Sequence, residues 1–191
     1  MKKIFISLIV YLVFLGNLSA EIKRIISGNF DAKITMIIYE SLTCSHCADF
    51  HKNIYPQLKK DYIDTGIVKL EFRHFPLDMA ALNASKISQC TQDQGLEILD
   101  SLYSNQKDWI KGNTVEDLNS NLKKFIQNKG FNLDIDNCLS NKEIEDFVLN
   151  DRIEGTKNFE INSTPTVIIN NEKFKKTLNY KNLKKSLEKL I

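Results

Sequence analysis

The sequence predicts an α/β fold whose sheet comes from the two ends of the chain, with a long helical stretch inserted between them. Three observations predict it. Residues 33–39, 47–62 and 67–75 read in turn as strand, amphipathic helix and strand, the order of a βαβ unit with parallel neighbouring strands. Strand character returns at residues 166–169, followed by a turn, a second short strand and a closing amphipathic helix. Between these halves, residues 78–158 are helical in character and hold no convincing strand.

The first element is a leader. Lys2 and Lys3 precede an apolar run over residues 4–15, and small Ser19 and Ala20 stand before Glu21. That pattern predicts a cleaved signal peptide over residues 1–20, because the apolar run is shorter than the roughly twenty residues a membrane-spanning helix needs. The chain carries 26 Lys and Arg against 24 Asp and Glu, so losing Lys2 and Lys3 with the leader leaves the charges even. No basic footprint for nucleic acid remains. The length left after the leader suits one domain, or one domain carrying an insertion.

Residues 22–26 and 33–39 are short, β-branched stretches parted by Ser27-Gly28-Asn29, hence two strands and a turn. Cys47, Phe50, Ile54, Leu58 and Tyr62 recur at spacings that mark the inner face of a helix, which leaves His51 facing away from the core. Pro56 should kink or split that helix. Asp64-Thr65-Gly66 ends it, and the strand at 67–75 is closed by Pro76. Residues 80–90 and 96–103 read as helices with a break at Gly95. Thr114 to Asp117 and Ser140 to Glu143 fit capping boxes, and Gly130 fits a helix stop. After the strand at 166–169, Asn170-Asn171 supplies a turn before a strand at 173–176, and Leu183, Leu187 and Leu190 mark the last helix. The expected organisation is therefore residues 21–77 and 159–191 as one domain, with 78–158 inserted.

The chain has 4 cysteines, and in an exported chain cysteines meet oxidising surroundings. A bridge between Cys44 and Cys47 closes too small a loop to serve stability, whereas one between Cys90 and Cys138 would contribute about 4 kcal/mol if unstrained. Cys44-Ser45-His46-Cys47 stands where a strand runs into a helix. Disulfide exchange needs a thiolate, and a helix start, with unpaired N–H groups and a positive dipole end, favours one. His46 can add a hydrogen bond or a positive charge. Stabilising the thiolate makes the disulfide a stronger oxidant, by roughly 30 mV per pKa unit. Cys44 is then the attacked sulfur and Cys47 the resolving one. Thr164-Pro165 opens a strand in the other half, where a cis proline would turn the Thr164 backbone toward the sulfurs and let it pair with an extended substrate. A metal-binding or metal-delivery module using Cys44, His46 and Cys47 is the rival of another class. It lacks a second CxxC or Cys/His cluster to complete four ligands.

Residues 41–51 (SLTCSHCADFH), 72–78 (FRHFPLD) and 163–170 (STPTVIIN) resemble the DsbA-like thiol:disulfide oxidoreductases of bacterial envelopes, which insert a helical domain into a thioredoxin fold. The resemblance covers essentially all of the chain after the leader, and Gln106 to Trp109 also match one subgroup. It implies a periplasmic oxidase without cofactor or metal, passing the Cys44–Cys47 disulfide to newly exported proteins with free thiols through a mixed disulfide. A membrane redox partner would reoxidise it. It further implies a cis Pro165 with Thr164 as docking backbone, and a structural disulfide between Cys90 and Cys138. An envelope reductase or isomerase is the nearest alternative. Two departures bear on the chemistry. Ser45 stands where the family's dipeptide has Pro, and Ile38 stands where the family carries an acid on the strand; Glu40 and Glu71 are the nearby substitutes, each expected to be a solvated charge. His74 is read as a surface or packing residue and Trp109 as core of the insertion.

Overall fold

The computed structural model of the chain describes residues 22–91 and 93–191, so the expected leader lies outside the described residues. The first two strands are β1 (Ile25–Ser27) and β2 (Ile34–Glu40). The helix after β2 is not uniform. α1 (Ser45–Asp49) passes into a π-helical stretch, Phe50–Ile54, then α2 (Tyr55–Leu58) with Pro56 in its first turn, then a second π-helical stretch, Lys59–Ile63. Pro56 therefore splits the helix, as its missing N–H requires, and the π widening ahead of it takes up the break.

β3 (Val68–His74) pairs parallel with β2, from Ile34 opposite Val68 to Glu40 opposite His74. The helical region then runs α3 (Met79–Gln89), α4 (Gly95–Ser104), α5 (Gln106–Trp109), α6 (Val115–Asn128), α7 (Ile135–Ser140) and α8 (Lys142–Phe159). The chain returns to the sheet as β4 (Thr166–Ile169), antiparallel to β2, turns through Asn170 and Asn171, both with left-handed backbones, and adds β5 (Glu172–Lys173) before α9 (Tyr180–Leu187). The sheet order is β1-β3-β2-β4-β5, with β1 antiparallel on β3.

Several boundaries differ from the sequence reading for local reasons. The cap of α8 is Asn141, whose side chain accepts from the Ile144 N–H, while the Ser140 hydroxyl turns back onto the Asp136 and Asn137 carbonyls. Thr114 caps α6 as expected, accepting from the Asp117 N–H at 3.1 Å. The strand expected at 173–176 shortens to Glu172–Lys173. Leu190 lies beyond α9 and is exposed. Among the described residues, no helix is long and apolar enough to cross a membrane.

Alternation along β2 sorts its side chains onto two faces. Ile34, Met36 and Ile38 enter the main core with Phe50, Leu58, Leu70, Phe72, Leu183 and Leu187. Tyr39 points to the other face, where it meets Phe75, Ile161 and Ile168. The main core runs without interruption into the helical region through Ile98, Leu102, Trp109, Leu122 and Ile126. Trp109 is fully buried and its indole N–H reaches the Leu102 carbonyl at 3.0 Å. Cys90 and Cys138 are joined, with Cα atoms 5.6 Å apart, and the bridge fastens the end of α3 to α7. Beside it, Lys86 is buried against the Leu139 carbonyl and Glu145, tying α3, α7 and α8 together.

Candidate active site

β2 is buried along its last residues and stops at Glu40, and the turn after it sets Cys44 at the mouth of α1. The Cys44 N–H donates to the Ser41 carbonyl at 3.0 Å, closing the turn. Cys44 is the N-cap residue of α1, with φ −80° and ψ 120°, and its sulfur accepts from the Cys47 N–H at 3.4 Å. Cap positions ordinarily hold an oxygen acceptor; here sulfur occupies that place, half-buried, while Cys47 one turn on is completely buried. Both are free thiols in this structure.

The two sulfurs are driven apart in acidity. A hydrogen bond from the Cys47 side chain and the backbone N–H groups of Cys47 and His46 hold the Cys44 thiol down to about 5, against the opposing effect of burial. Burial pushes the Cys47 thiol far above its ordinary value, and the neighbouring Cys44 and the Glu40 charge push the same way. The pair thus has one sulfur that ionises readily at the surface and one that resists ionising inside.

The loop that faces Cys44 comes from the other half of the chain. The Thr164–Pro165 bond is cis, and the Cys44 thiol lies 3.5 Å from the Thr164 carbonyl, across 120 positions of sequence. The helical region braces the same turn. Gln106 on α5 donates to the carbonyls of Leu42 at 2.7 Å and Cys44 at 3.1 Å. The Thr43 hydroxyl donates to Asp78 at 2.8 Å, while Asp78 also caps α3 by accepting from the Ala81 N–H at 2.7 Å. The sequence marks Gln106 and Asp78 only within the family resemblance and gives neither a role, because both act across elements that share no local pattern.

The structure brings Cys44, Cys47, Thr164 and Pro165 together and sets Cys90 and Cys138 apart from them as a joined pair. The ring of His46 is exposed, and the contribution of His46 to Cys44 is its backbone N–H. Three expectations are corrected. His51 is buried at 7% exposure rather than facing solvent, because it stands one helical turn after Cys47 and so shares the inward side. Glu40 is 1% exposed and bonds His51 Nε2 through Oε2 at 2.9 Å; its Oε1 is buried with no hydrogen-bond partner among the described residues. Glu71 is also buried, at 8%, and receives Arg73. The other nitrogen of His51 meets Asp100 on α4 at 3.0 Å. The ring stacks on Tyr103 at 4.1 Å and on Phe72 at 5.5 Å. Burial alone would lower His51, but the Glu40 charge and the bonds to Asp100 and Glu40 overcome it and raise the imidazolium to about 9. At neutral pH both ring nitrogens therefore donate. Among the described residues, no group of three or more His, Cys, Asp or Glu is arranged to hold a metal ion.

The family model described as Thioredoxin matches residues 20–189. The crystal structure of Wolbachia pipientis alpha-DsbA1 superposes with a TM-score of 0.79 at 30% identity, covering 87% of this chain and 90% of that one. A putative protein-disulfide oxidoreductase of Rickettsia bellii is 37% identical over 93 residues, 48% of this chain but only 36% of the relative. The chain thus matches about a third of that protein's length. Disulfide bond formation protein D of Bacillus subtilis is 27% identical over 172 residues, 85% of this chain and 74% of the relative.

Proposed function

This chain belongs to the thioredoxin family as a DsbA-like member, and on that premise we propose that it is a thiol:disulfide oxidoreductase working through Cys44 and Cys47. The observation that carries the reading is Cys44 itself, a half-buried thiol held as a helix cap beside a buried partner sulfur. The thiolate is the species that exchanges, and it leaves and attacks best when its pKa lies near or below ambient pH.

The reading extends to direction and place. A surface sulfur stabilised as thiolate favours the reduced form, so the Cys44–Cys47 disulfide is donated and the protein acts as an oxidase in the periplasm, its leader at residues 1–20 removed. A client thiolate attacks Cys44, the S–S electron pair leaves on Cys47, and a mixed disulfide joins client and Cys44. A second client thiolate then attacks the client sulfur and releases Cys44 as thiolate. Newly exported, unfolded proteins with free thiols are the clients, and the Thr164 backbone before Pro165 receives them as an added strand. A membrane redox partner restores the disulfide. His46 assists through the first turn of α1, Cys90–Cys138 is the structural bridge, and residues 78–158 form an insertion between 21–77 and 159–191.

The test mixes a reduced, unfolded protein with catalytic amounts of this chain and oxidised glutathione. Accelerated disulfide formation that disappears in Cys44→Ser is expected. No acceleration, or acceleration that survives the substitution, overturns the reading. Equilibration with a glutathione buffer fixes direction: a Cys44–Cys47 disulfide more stable than the buffer's makes the protein a reductant.

A further inference from the structure

We propose that the edge of the molecule formed by β5, the end of α8 and the outer face of α9 docks on the surface of an anionic phospholipid bilayer. Residues 21–172 carry 17 basic side chains against 23 acidic, whereas residues 173–191 carry 7 lysines and a single acid, Glu188. An even total charge thus hides one strongly positive region and a negative remainder. A surface charged for solubility alone intersperses the two signs; segregation of this degree points to a charged partner.

Packing gathers the lysines on one side. Lys157, Lys173, Lys175, Lys176 and Lys189 line a cleft of about 930 Å³ between α8, β5 and the turn after α9, with Glu160 and Glu172 the acids present. Lys181 and Lys185 stand one turn apart on α9, and Lys189 follows in the same register, away from the buried Leu183 and Leu187. Like charges at that spacing repel one another, and little offsets them. Elsewhere Lys59 pairs with Asp64, Lys123 with Asp136 and Lys142 with Glu145. In residues 173–191 the ion pair is a loose one, Lys184 with Glu188 at 3.9 Å, while Lys173 and Lys176 turn to the Glu160 carbonyl and the Ser186 hydroxyl instead of to a carboxylate.

An acidic polypeptide would use the charge alone, but apolar side chains stand among these lysines. Leu190 shares the cleft, and Leu190 and Ile191 are 48% and 71% exposed. Lysines that meet phosphates while apolar neighbours enter the acyl boundary are the recognition chemistry of a bilayer interface. The same edge reaches the site, since Lys173, Lys175 and Lys176 also line a cleft of about 330 Å³ with Ser163, Pro165 and Thr166. A chain resting on a membrane by this edge holds the Pro165 loop, and Cys44 facing it, near the bilayer plane. That is where the membrane redox partner of the proposed function would meet it.

The test sediments the exported chain, freed of its leader, with vesicles of phosphatidylglycerol or of phosphatidylcholine in about 0.05 M salt and again in about 0.5 M, where screening shortens to a few ångströms. Binding to phosphatidylglycerol at low salt, absent at high salt and on phosphatidylcholine, is expected. Each lysine at the surface contributes about fivefold, so Lys175→Gln, Lys176→Gln and Lys189→Gln together are expected to weaken binding about hundredfold. Lys111→Gln, Lys124→Gln and Lys129→Gln remove the same charge from the helical region and are expected to change it by less than about threefold. Equal loss in the two triple variants would make net charge the cause and overturn the docking edge, as would no binding, or equal binding to phosphatidylcholine. Displacement by millimolar inorganic phosphate would make the cleft a free-anion site, and tighter binding to polyglutamate than to vesicles would make the partner an acidic polypeptide; either result overturns it. Cys44→Ser is expected to bind vesicles as the parent does, so failure of docking and failure of the exchange chemistry are read separately.

Discussion

At the scale of single residues, Cys44 links the fold to pH. Its thiol is held at about 5 in the folded chain against an ordinary value of 9.0. A depressed folded value means that the reduced protein gains stability from this group as pH rises above about 5, fully above about 9, and loses it as pH falls back through about 5. Because the sulfur is half-exposed, solvent screening makes the gain smaller than the shift alone implies. Urea unfolding of the reduced parent and of Cys44→Ala between pH 5 and 9 checks this. The parent's advantage should widen with pH; two parallel curves would count against the cap. The Cys44/Cys47 pair was legible in sequence because its chemistry is local, two sulfurs within one turn after a strand. The His51 cluster was not, since the Phe50, Ile54, Leu58 stripe hides a second inward line through Cys47 and His51, and Asp100 stands 49 positions away on another helix.

Among the elements, α8 shows how packing overrides propensity. Gly155 lies inside this long helix, where glycine costs about 1 kcal/mol relative to alanine. A Cβ there would fall 2.7 Å from Tyr39 Cε1 and 2.9 Å from Cδ1, and Tyr39 is buried on β2 with nowhere to move. Gly155→Ala is therefore expected to destabilise the chain by about 1–3 kcal/mol despite its better helix propensity, read as a lowered denaturation midpoint; a raised midpoint would show that α8 can lift off the sheet. Strands β2, β3 and β4 were readable because each is an apolar run with its own turn signal. α5 and α7, of 4 and 6 residues, are too short for a helical period to repeat. Asn141 was passed over as a cap because Ser140 beside it offers the same chemistry, and only the geometry separates them.

For the whole molecule, the helical region and the sheet are held by charge as well as by a shared core. Asp151 on α8 is fully buried and receives Arg24, Arg73 at 3.4 Å and the His74 N–H at 3.1 Å, so it binds the segment before β1, β3 and the insertion at one point. Removing Asp151 leaves the buried His74 N–H without its acceptor and takes one carboxylate from Arg24 and Arg73, which keep Glu71 and Glu154, so Asp151→Ala should cost about 1–3 kcal/mol in chemical unfolding. A cost within error of zero would mean that the arginines find water. The inserted organisation was visible in sequence as a gap in strand character; the continuity of the core across it was not, because contacts of that range leave no periodic trace.

The outer strands have a further consequence for a molecule whose proposed clients arrive unfolded. β1 and β5 are only 3 and 2 residues long, and Lys173, Lys175 and Lys176 cluster at the β5 rim. Long, flat, apolar borders recruit stray polypeptide and seed fibrils, whereas short and charged ones repel it. On the proposed function, in which extended clients dock at Thr164, such margins disfavour their capture by the outer strands and so their co-aggregation with this chain.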